Sequence, residues 1–454
     1  MLKINTLYWF THDLRLQDNL LLNNVCDFSD EMSFVYVLNE SDFKANNFQQ
    51  RAMGKQRLVF TLQAISNLAL QLAARGHNLI LLKGNPVTAI SNLCEKLQAN
   101  TLAVAHQVGV YERQWLKEIE QNTSVRLHSA WQHTLWHDTE ILSHPAYLDS
   151  FSKYRRFVEK QKTSEIAEPS TLNELFPPAT KTALDFMSTE QVIGDILQSE
   201  GLNDEGGTKS LFQGGEYAAS AHIKSYFDSQ SPSTYKETRN ELDGWQLSTK
   251  FSPYLAQGSL SPRQVWHAVE QYESKVTKNE STYWIKFELL WREYFQWLAL
   301  YQGESLFSFK GQANSKPLTS FFPERFKKWC EGETPYPLVN ACMKQLNHTG
   351  FMSNRGRQIV ASCLVNELCL DWRYGAAYFQ QQLLDYDVAS NWGNWQYIAG
   401  VGADPRGGRH FNIEKQHTQY DPHDVFINHW LGKQEFQPLD SVDAADWPVD
   451  TRAQ

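Results

Sequence analysis

TLYWFTHDLRLQDN, residues 6–19, opens on an apolar run and turns at once into a polar loop of mixed charge. The run Thr6–Phe10 reads as a buried strand, because short aromatic-rich apolar stretches bounded by polar loops suit a covered sheet. The loop after it lacks the GxGxxG spacing that lets backbone approach a pyrophosphate, so a dinucleotide-binding Rossmann site is not indicated. The same kind of run recurs at Phe34–Leu38, Asn78–Leu82, Thr101–Ala105 and Ser124–His128. Between the second and third runs, Arg51–Arg75 carries apolar residues at helical spacing, and Gly76 closes it as a C′ residue. Asn85 and Pro86 then predict the N-cap and first residue of another helix. Strands spaced by helices imply a doubly wound parallel sheet covered on both faces. This α/β domain is placed at 1–130.

Beyond it the pattern weakens. Residues 131–205 are richer in Pro, Ser and Thr and read as a connector with some helix, punctuated at its end by Gly206–Gly207 and Gly214–Gly215. From there the chain is helical almost to its end. The spacing predicts helices over 216–228, 261–272, 281–301, 337–346, 355–370 and 373–384. The expected organisation is an all-α domain at 206–435 and a short tail at 436–454.

Composition narrows the class. The chain has 15 Trp, 11 of them after residue 240. A core does not need so many indoles, each of which wants an N–H partner when buried; stacking surfaces or an electron relay would use them. The net charge of −9 argues against a nonspecific nucleic-acid binder, although residues 340–420 hold seven Lys/Arg against six Asp/Glu. Cys26, Cys94, Cys330, Cys342, Cys363 and Cys369 are scattered with no metal spacing, as in a reducing compartment. With no leader-like or membrane-length apolar run, the expected location is the cytoplasm, and a monomer is the default.

Four stretches carry candidate chemistry. In TKFSPYLAQG (249–258), Ser252–Pro253 starts a helix, and its free N–H groups beside Lys250 suit an anion such as phosphate; alone, this segment reads first as a simple capped helix. In FELLWREYFQW (287–297), Glu288, Trp291 and Arg292 share one helix face. That is either an i,i+4 ion pair beside a core Trp or an aromatic platform with a carboxylate for gripping an extruded base. In GFMSNRGRQIVAS (350–362), Arg355 and Arg357 cannot share a face; an inward Arg needs a carboxylate, and Asp385 is the candidate. LLDYDVASNWGNWQYIAGVGADPR (383–406) has two Asp two apart, Asn391 and three Gly; the glycines would let backbone approach a ligand, and the alternative is an ordinary surface loop. Paired Asp suggest a metal only thinly, and His133 and His137 lack a third ligand, so no metal site is expected.

In this order and spacing, the four stretches resemble the photolyase/cryptochrome family, from YWFTHDLRLQDN through FQGGEYAASAHIKSYF (212–227) to YDPHDVFINHWL (420–431). The run from TGFMSNRGRQ through NWGNWQYIAGVG is similar to its cryptochrome-DASH branch. The resemblance implies an antenna domain followed by a helical domain holding bent FAD. It places Tyr235 and Ser248, Thr249, Lys250, Phe251 and Ser252 at the FAD diphosphate and ribose. Glu288 and Arg292 lie beside cofactor and substrate, and Arg357 pairs with Asp385 near the isoalloxazine. Asp387 accepts from the ring edge and Asn391 faces flavin N5. Glu288, Trp291, Asn354 and Tyr397 line the pocket for a flipped pyrimidine dimer, and Arg239 and Arg355 touch DNA backbone. Glu112 binds a methenyltetrahydrofolate antenna, which Tyr386 closes. Trp395 and Trp372 match the inner members of an electron relay.

The implied activity is blue-light-dependent, FAD-driven repair of cyclobutane pyrimidine dimers, a lyase reaction that needs no acid/base triad. Single-stranded DNA is the preference implied by the branch. One departure is that Thr319, followed by Phe321–Phe322, stands where a third relay Trp is expected, so that role is lost or passes to Trp329 or a Tyr. The main alternative is a light sensor with little repair. Repair of (6-4) photoproducts is disfavoured, since its histidine acid has no counterpart at Ser353, Asn354 or Gln358.

Overall fold

The computed structural model describes residues 3–137, 142, 144–162, 165–172, 176–182, 184–202, 211–402, 408–433 and 439–440. Gly206–Gly207 and most of the 436–454 tail lie outside the described residues. Strands β1 (Asn5–Phe10), β2 (Glu31–Asn39), β3 (Leu79–Gly84), β4 (Thr101–Val104) and β5 (Arg126–His128) form one parallel sheet, ordered β3-β2-β1-β4-β5. All five lie where the apolar runs fall. Four helices connect them: α1 (Leu20–Phe28), α2 (Lys55–Ala73), α3 (Pro86–Leu97) and α4 (Val110–Asn122).

Alternation along β1 divides the core. Leu7 and Trp9 pack with Val35, Ile80, Ile90 and Leu93 on the α3 side, whereas Tyr8 and Phe10 pack with Phe34, Leu62 and Ile65 on the α2 side. Asn85 caps α3 by accepting from the Thr88 N–H, with Pro86 opening the helix. Helix α2 stops at Ala73, and Gly76 takes the left-handed conformation (φ 79°) one position later than a C′ residue, because Ala74 caps the helix while still right-handed.

The connector divides between the two halves. Helix α5 (Phe151–Gln161) buries Phe151, Tyr154, Phe157 and Val158 in the helical core, whereas α6 (Thr189–Ser199) lends Ile196 to the sheet. The helical half then runs through α7 (Glu216–Phe227), α8 (Ser252–Gln257), α9 (Pro262–Lys275), α10 (Glu280–Gln302), α11 (Pro323–Glu331), α12 (Pro337–Thr349), α13 (Asn354–Ser362), α14 (Trp372–Gln382) and α15 (Val388–Ile398). Capping boxes at Ser261/Gln264 and Asn279/Thr282 start α9 and α10.

Two local expectations are corrected. Ser252 is not an N-cap: Phe251 occupies that position without a side-chain bond, and Ser252 and Pro253 are the first helical residues. The helix expected over 355–370 stops at Ser362 and continues as a π-turn, Cys363–Glu367. There the Asn366 amide donates to the Ser362 carbonyl and hydroxyl, and Leu368 N–H reaches Cys363 O, widening the turn.

The polar loop after β1 fastens the halves together. Asp18 accepts from Arg263 Nε (3.1 Å) and Nη2 (3.2 Å), from Ser170 N–H (2.9 Å) and from the Ser261 hydroxyl. Arg15 donates to the carbonyls of Gly258 (3.0 Å) and Gln132 (2.7 Å), and Glu216 accepts from the N–H groups of Leu16 and Gln17. The charges are buried and, apart from Arg15 Nε, their polar atoms find partners, as burial demands. Gly258 must be glycine here: its φ is 77°, and a Cβ would lie 2.0 Å from His12 O.

Candidate functional site

Two cavities open where these elements meet. The inner one, about 250 Å³, lies among the start of α8, the face of α10 and the starts of α13 and α15. It is lined by Tyr235, Ser248, Thr249, Lys250, Phe251, Ser252, Glu288, Arg292, Arg357, Asp385 and Asp387, which is every expected cofactor residue except Asn391. Arg239 and Asn354 also line it. The larger cavity, about 710 Å³, lies between the sheet domain and the helices and contains Glu112 and Tyr386. Ala256, Arg292 and Asp387 line both cavities.

The electrostatics follow from burial. Arg357 Nη2 donates to Asp385 Oδ2 at 2.8 Å, and Ser353 caps α13 beneath it. The second oxygen, Asp385 Oδ1, is buried and has no hydrogen-bond partner among the described residues. A buried acceptor of this kind is suited to a donor on a bound group. Asp387 caps α15 through the Ser390 N–H (2.7 Å) and takes two bonds from Gln296 Nε2 (both 2.9 Å). Burial opposes its ionisation, but Arg292 and these hydrogen bonds outweigh it and hold the carboxyl below the usual range. Glu288 is pushed up by burial, against the pull of Arg239.

Glu288 does not pair with Arg292 along the helix. Its carboxylate takes Arg239 Nη1 at 2.5 Å, while Arg292 donates to His133 O (2.5 Å) and Leu255 O (3.4 Å). Trp291 and Tyr397 stand outside the cavity lining and meet edge to face, ring centres 6.0 Å apart; Trp291 also stacks on Phe151 at 3.7 Å. Asn391 is buried, its amide donating to Ala376 O at 3.0 Å. Arg355 donates to Asn240 (3.3 Å) and lies over Tyr420. Trp395 and Trp372 are buried in the core, with Trp395 beside Trp329 (6.2 Å) and Trp372 beside Trp392 (5.8 Å).

Sequence reasoning missed the walls of the larger cavity. His12, Arg57, His133, Gln296 and Trp392 line it, and burial holds His133 neutral, down to about 3. His133 stands out only as half of a His pair. The signal that it faces a cavity is tertiary, since its partner Arg292 lies 159 residues away.

Lys250 is buried in the inner cavity with a left-handed backbone (φ 53°), and its ammonium donates to Ser248 Oγ at 2.8 Å. Burial pushes it down to about 8, with Arg357 adding to the effect. A lysine holding a phosphate must be cationic. Affinity for a diphosphate-bearing cofactor is therefore expected to be full below pH 8 and to fall as pH rises through about 8. Titrating apoprotein across this range checks it: Lys250→Met should bind more weakly and flatten the profile.

The comparisons with known proteins match this layout of a parallel-sheet domain joined to a helical, cofactor-binding one. A model of DNA photolyase matches residues 6–171, and one of the FAD binding domain of DNA photolyase matches residues 284–452. The chain is 47% identical to the Cryptochrome DASH of Idiomarina loihiensis, over 98% of this chain and 96% of that one. It is 44% identical to that of Vibrio parahaemolyticus, over 98% and 97%. Among solved structures, Synechocystis sp. PCC6803 cryptochrome superposes with a TM-score of 0.87 at 35% identity, covering 97% of this chain and 91% of that one. A class III photolyase from Agrobacterium tumefaciens gives 0.77 at 25%, covering 95% and 87%. The fold and the matched FAD-binding domain define a photolyase-type flavoprotein. The chain belongs to the photolyase/cryptochrome family, on its cryptochrome-DASH branch.

Proposed function

We propose that this protein repairs cyclobutane pyrimidine dimers in DNA under blue light, with a preference for single strands. The observation that carries the reading is one cavity holding both kinds of group the task needs. Lys250 and the Arg357–Asp385 pair, with its unpartnered Oδ1, suit the anionic and donor parts of FAD. Glu288, fixed by Arg239, and Asn354 offer hydrogen-bonding groups to a flipped base at the same cavity. Reduced FAD bound there supplies, when excited, the electron that splits the cyclobutane ring and then takes it back. The chain's own part is to orient and exclude water. Arg239 holds the Glu288 carboxylate, Trp291 and Tyr397 form an aromatic corner with each other, and Arg355 is available to backbone phosphate.

The larger cavity suits a methenyltetrahydrofolate, which supplies light absorption. Glu112 faces it as a carboxylate for ring N–H groups, and Tyr386 closes it under Arg57 (4.6 Å). The six free cysteines suit the reducing cytoplasm. Among the described residues no helix is long and apolar enough to cross a membrane.

The test is light-dependent repair by chemically reduced protein on matched single-stranded and duplex oligonucleotides. Repair of the single strand alone supports the reading, and equal repair marks a conventional photolyase. No repair of either, with flavin bound and reduced, sinks it in favour of a sensor. Tyr397 offers a smaller stacking face than a Trp. Tyr397→Trp is accordingly expected to gain duplex repair; no gain would assign the preference to another residue.

A further inference from the structure

Thr319 leaves the surface end of the tryptophan relay without its expected indole, and the aromatic packing points to a replacement. Trp395 meets Trp329 edge to face at 6.2 Å. Trp329 stacks near Phe326 (6.1 Å, 17°), which abuts Tyr374 at 5.6 Å. The second arm starts at Trp372, meets Trp392 at 5.8 Å, then Phe48 at 6.2 Å, and Phe48 abuts Tyr374 at 5.2 Å. Both arms converge on Tyr374, a half-buried residue on α14. Its ring stacks at 4.0 Å and 14° on Phe321, which is 37% exposed.

The stack is held in place by backbone. Ser320 N–H donates to Cys369 O (3.0 Å) and Asp371 N–H donates to Ser320 O (2.7 Å), which fastens the 319–322 segment to the start of α14. Phenylalanine is too hard to oxidise to carry a hole, so Phe326, Phe48 and Phe321 serve only as packed contacts. Tyr378 touches Trp329 at 5.7 Å but is buried, which leaves Tyr374 as the oxidisable side chain nearer the surface on which both arms converge.

We infer that Tyr374 is the terminal electron donor for light-driven reduction of the bound flavin, in place of a tryptophan at 319. This rests on FAD occupying the inner cavity and on Trp395 giving the first electron. The hole left on Trp395 moves outward and is filled by one electron from Tyr374, whose phenol loses its proton to water. An external thiol then returns one hydrogen atom to the tyrosyl radical.

The experiment illuminates flavin-loaded protein with the flavin oxidised, a thiol present and no DNA. It follows flavin bleaching and the tyrosyl signal by flash absorption and electron paramagnetic resonance. Tyr374→Phe should lose the tyrosyl signal and stable flavin reduction, and Tyr374→Trp should restore the reduction. A rival exit runs from Trp392 through Phe307 to exposed Tyr111, so Tyr111→Phe should behave as wild type. Wild-type behaviour of Tyr374→Phe overturns the inference, as does a Tyr111→Phe variant that alone fails. Repair by chemically reduced Tyr374→Phe should remain intact. Loss of photoreduction is thereby distinguished from failure of the repair reading.

Discussion

Asp385→Ala is expected to yield protein that purifies with little or no flavin. The Asp385 side chain is 2% exposed and supplies the carboxylate for Arg357 at 2.8 Å. Without it, the Arg357 guanidinium loses the carboxylate it is paired with, and breaking such a buried pair costs about 3–5 kcal/mol of stability. The variant also loses Oδ1, the buried acceptor left for a bound group. The pair is a cost to stability; the lost acceptor, a charged hydrogen bond worth about 1.5–3 kcal/mol, corresponds to a fall in flavin affinity on the order of tenfold to a hundredfold. The flavin-to-protein ratio after purification and a titration of apoprotein measure it. Asp385→Asn keeps an acceptor and should fall between the two. Stoichiometric, tightly held flavin in Asp385→Ala would remove this pair from the cofactor site.

Asp18→Ala should damage stability more than cofactor binding. Arg263 and Asp18 are both fully buried, and the same carboxylate also accepts from Ser170 N–H and the Ser261 hydroxyl. Truncation strands a buried guanidinium and two donors at once, with an expected cost of about 3–5 kcal/mol. The loss should appear as a lower urea midpoint and as faster proteolysis between the sheet and helical halves. The double variant Asp18→Leu with Arg263→Met, which leaves no buried charge, should recover much of it. A double variant as unstable as the single would assign the cost to geometry rather than to the uncompensated charge.

What was legible in the sequence was local or driven by charge. The strand runs, the Asn85–Pro86 start and the helix spans depend on neighbours within a turn or a pleat, so periodicity and capping chemistry fix them. The Arg357–Asp385 pair was legible for another reason: an inward guanidinium needs a carboxylate, for which Asp385 is a candidate, and the family resemblance implies that pairing. The break at Ser362 was not legible, because it depends on Asn366 and on a distant strand of backbone at Arg409 and Phe411.

The sequence by itself determined an α/β sheet domain, a helical partner and most of the residues that the inner cavity gathers. Tertiary structure alone decided that Glu288 is held by Arg239 and not by Arg292, that Arg15, Asp18 and Glu216 fasten the halves, and that both cavities share Ala256, Arg292 and Asp387. It also brought two aromatic chains together at Tyr374. The reason is range. Periodicity reports which face of an element is buried, whereas a side chain's partner comes from whichever element packs there. For Asp18 and Arg263 that partner lies 245 residues away.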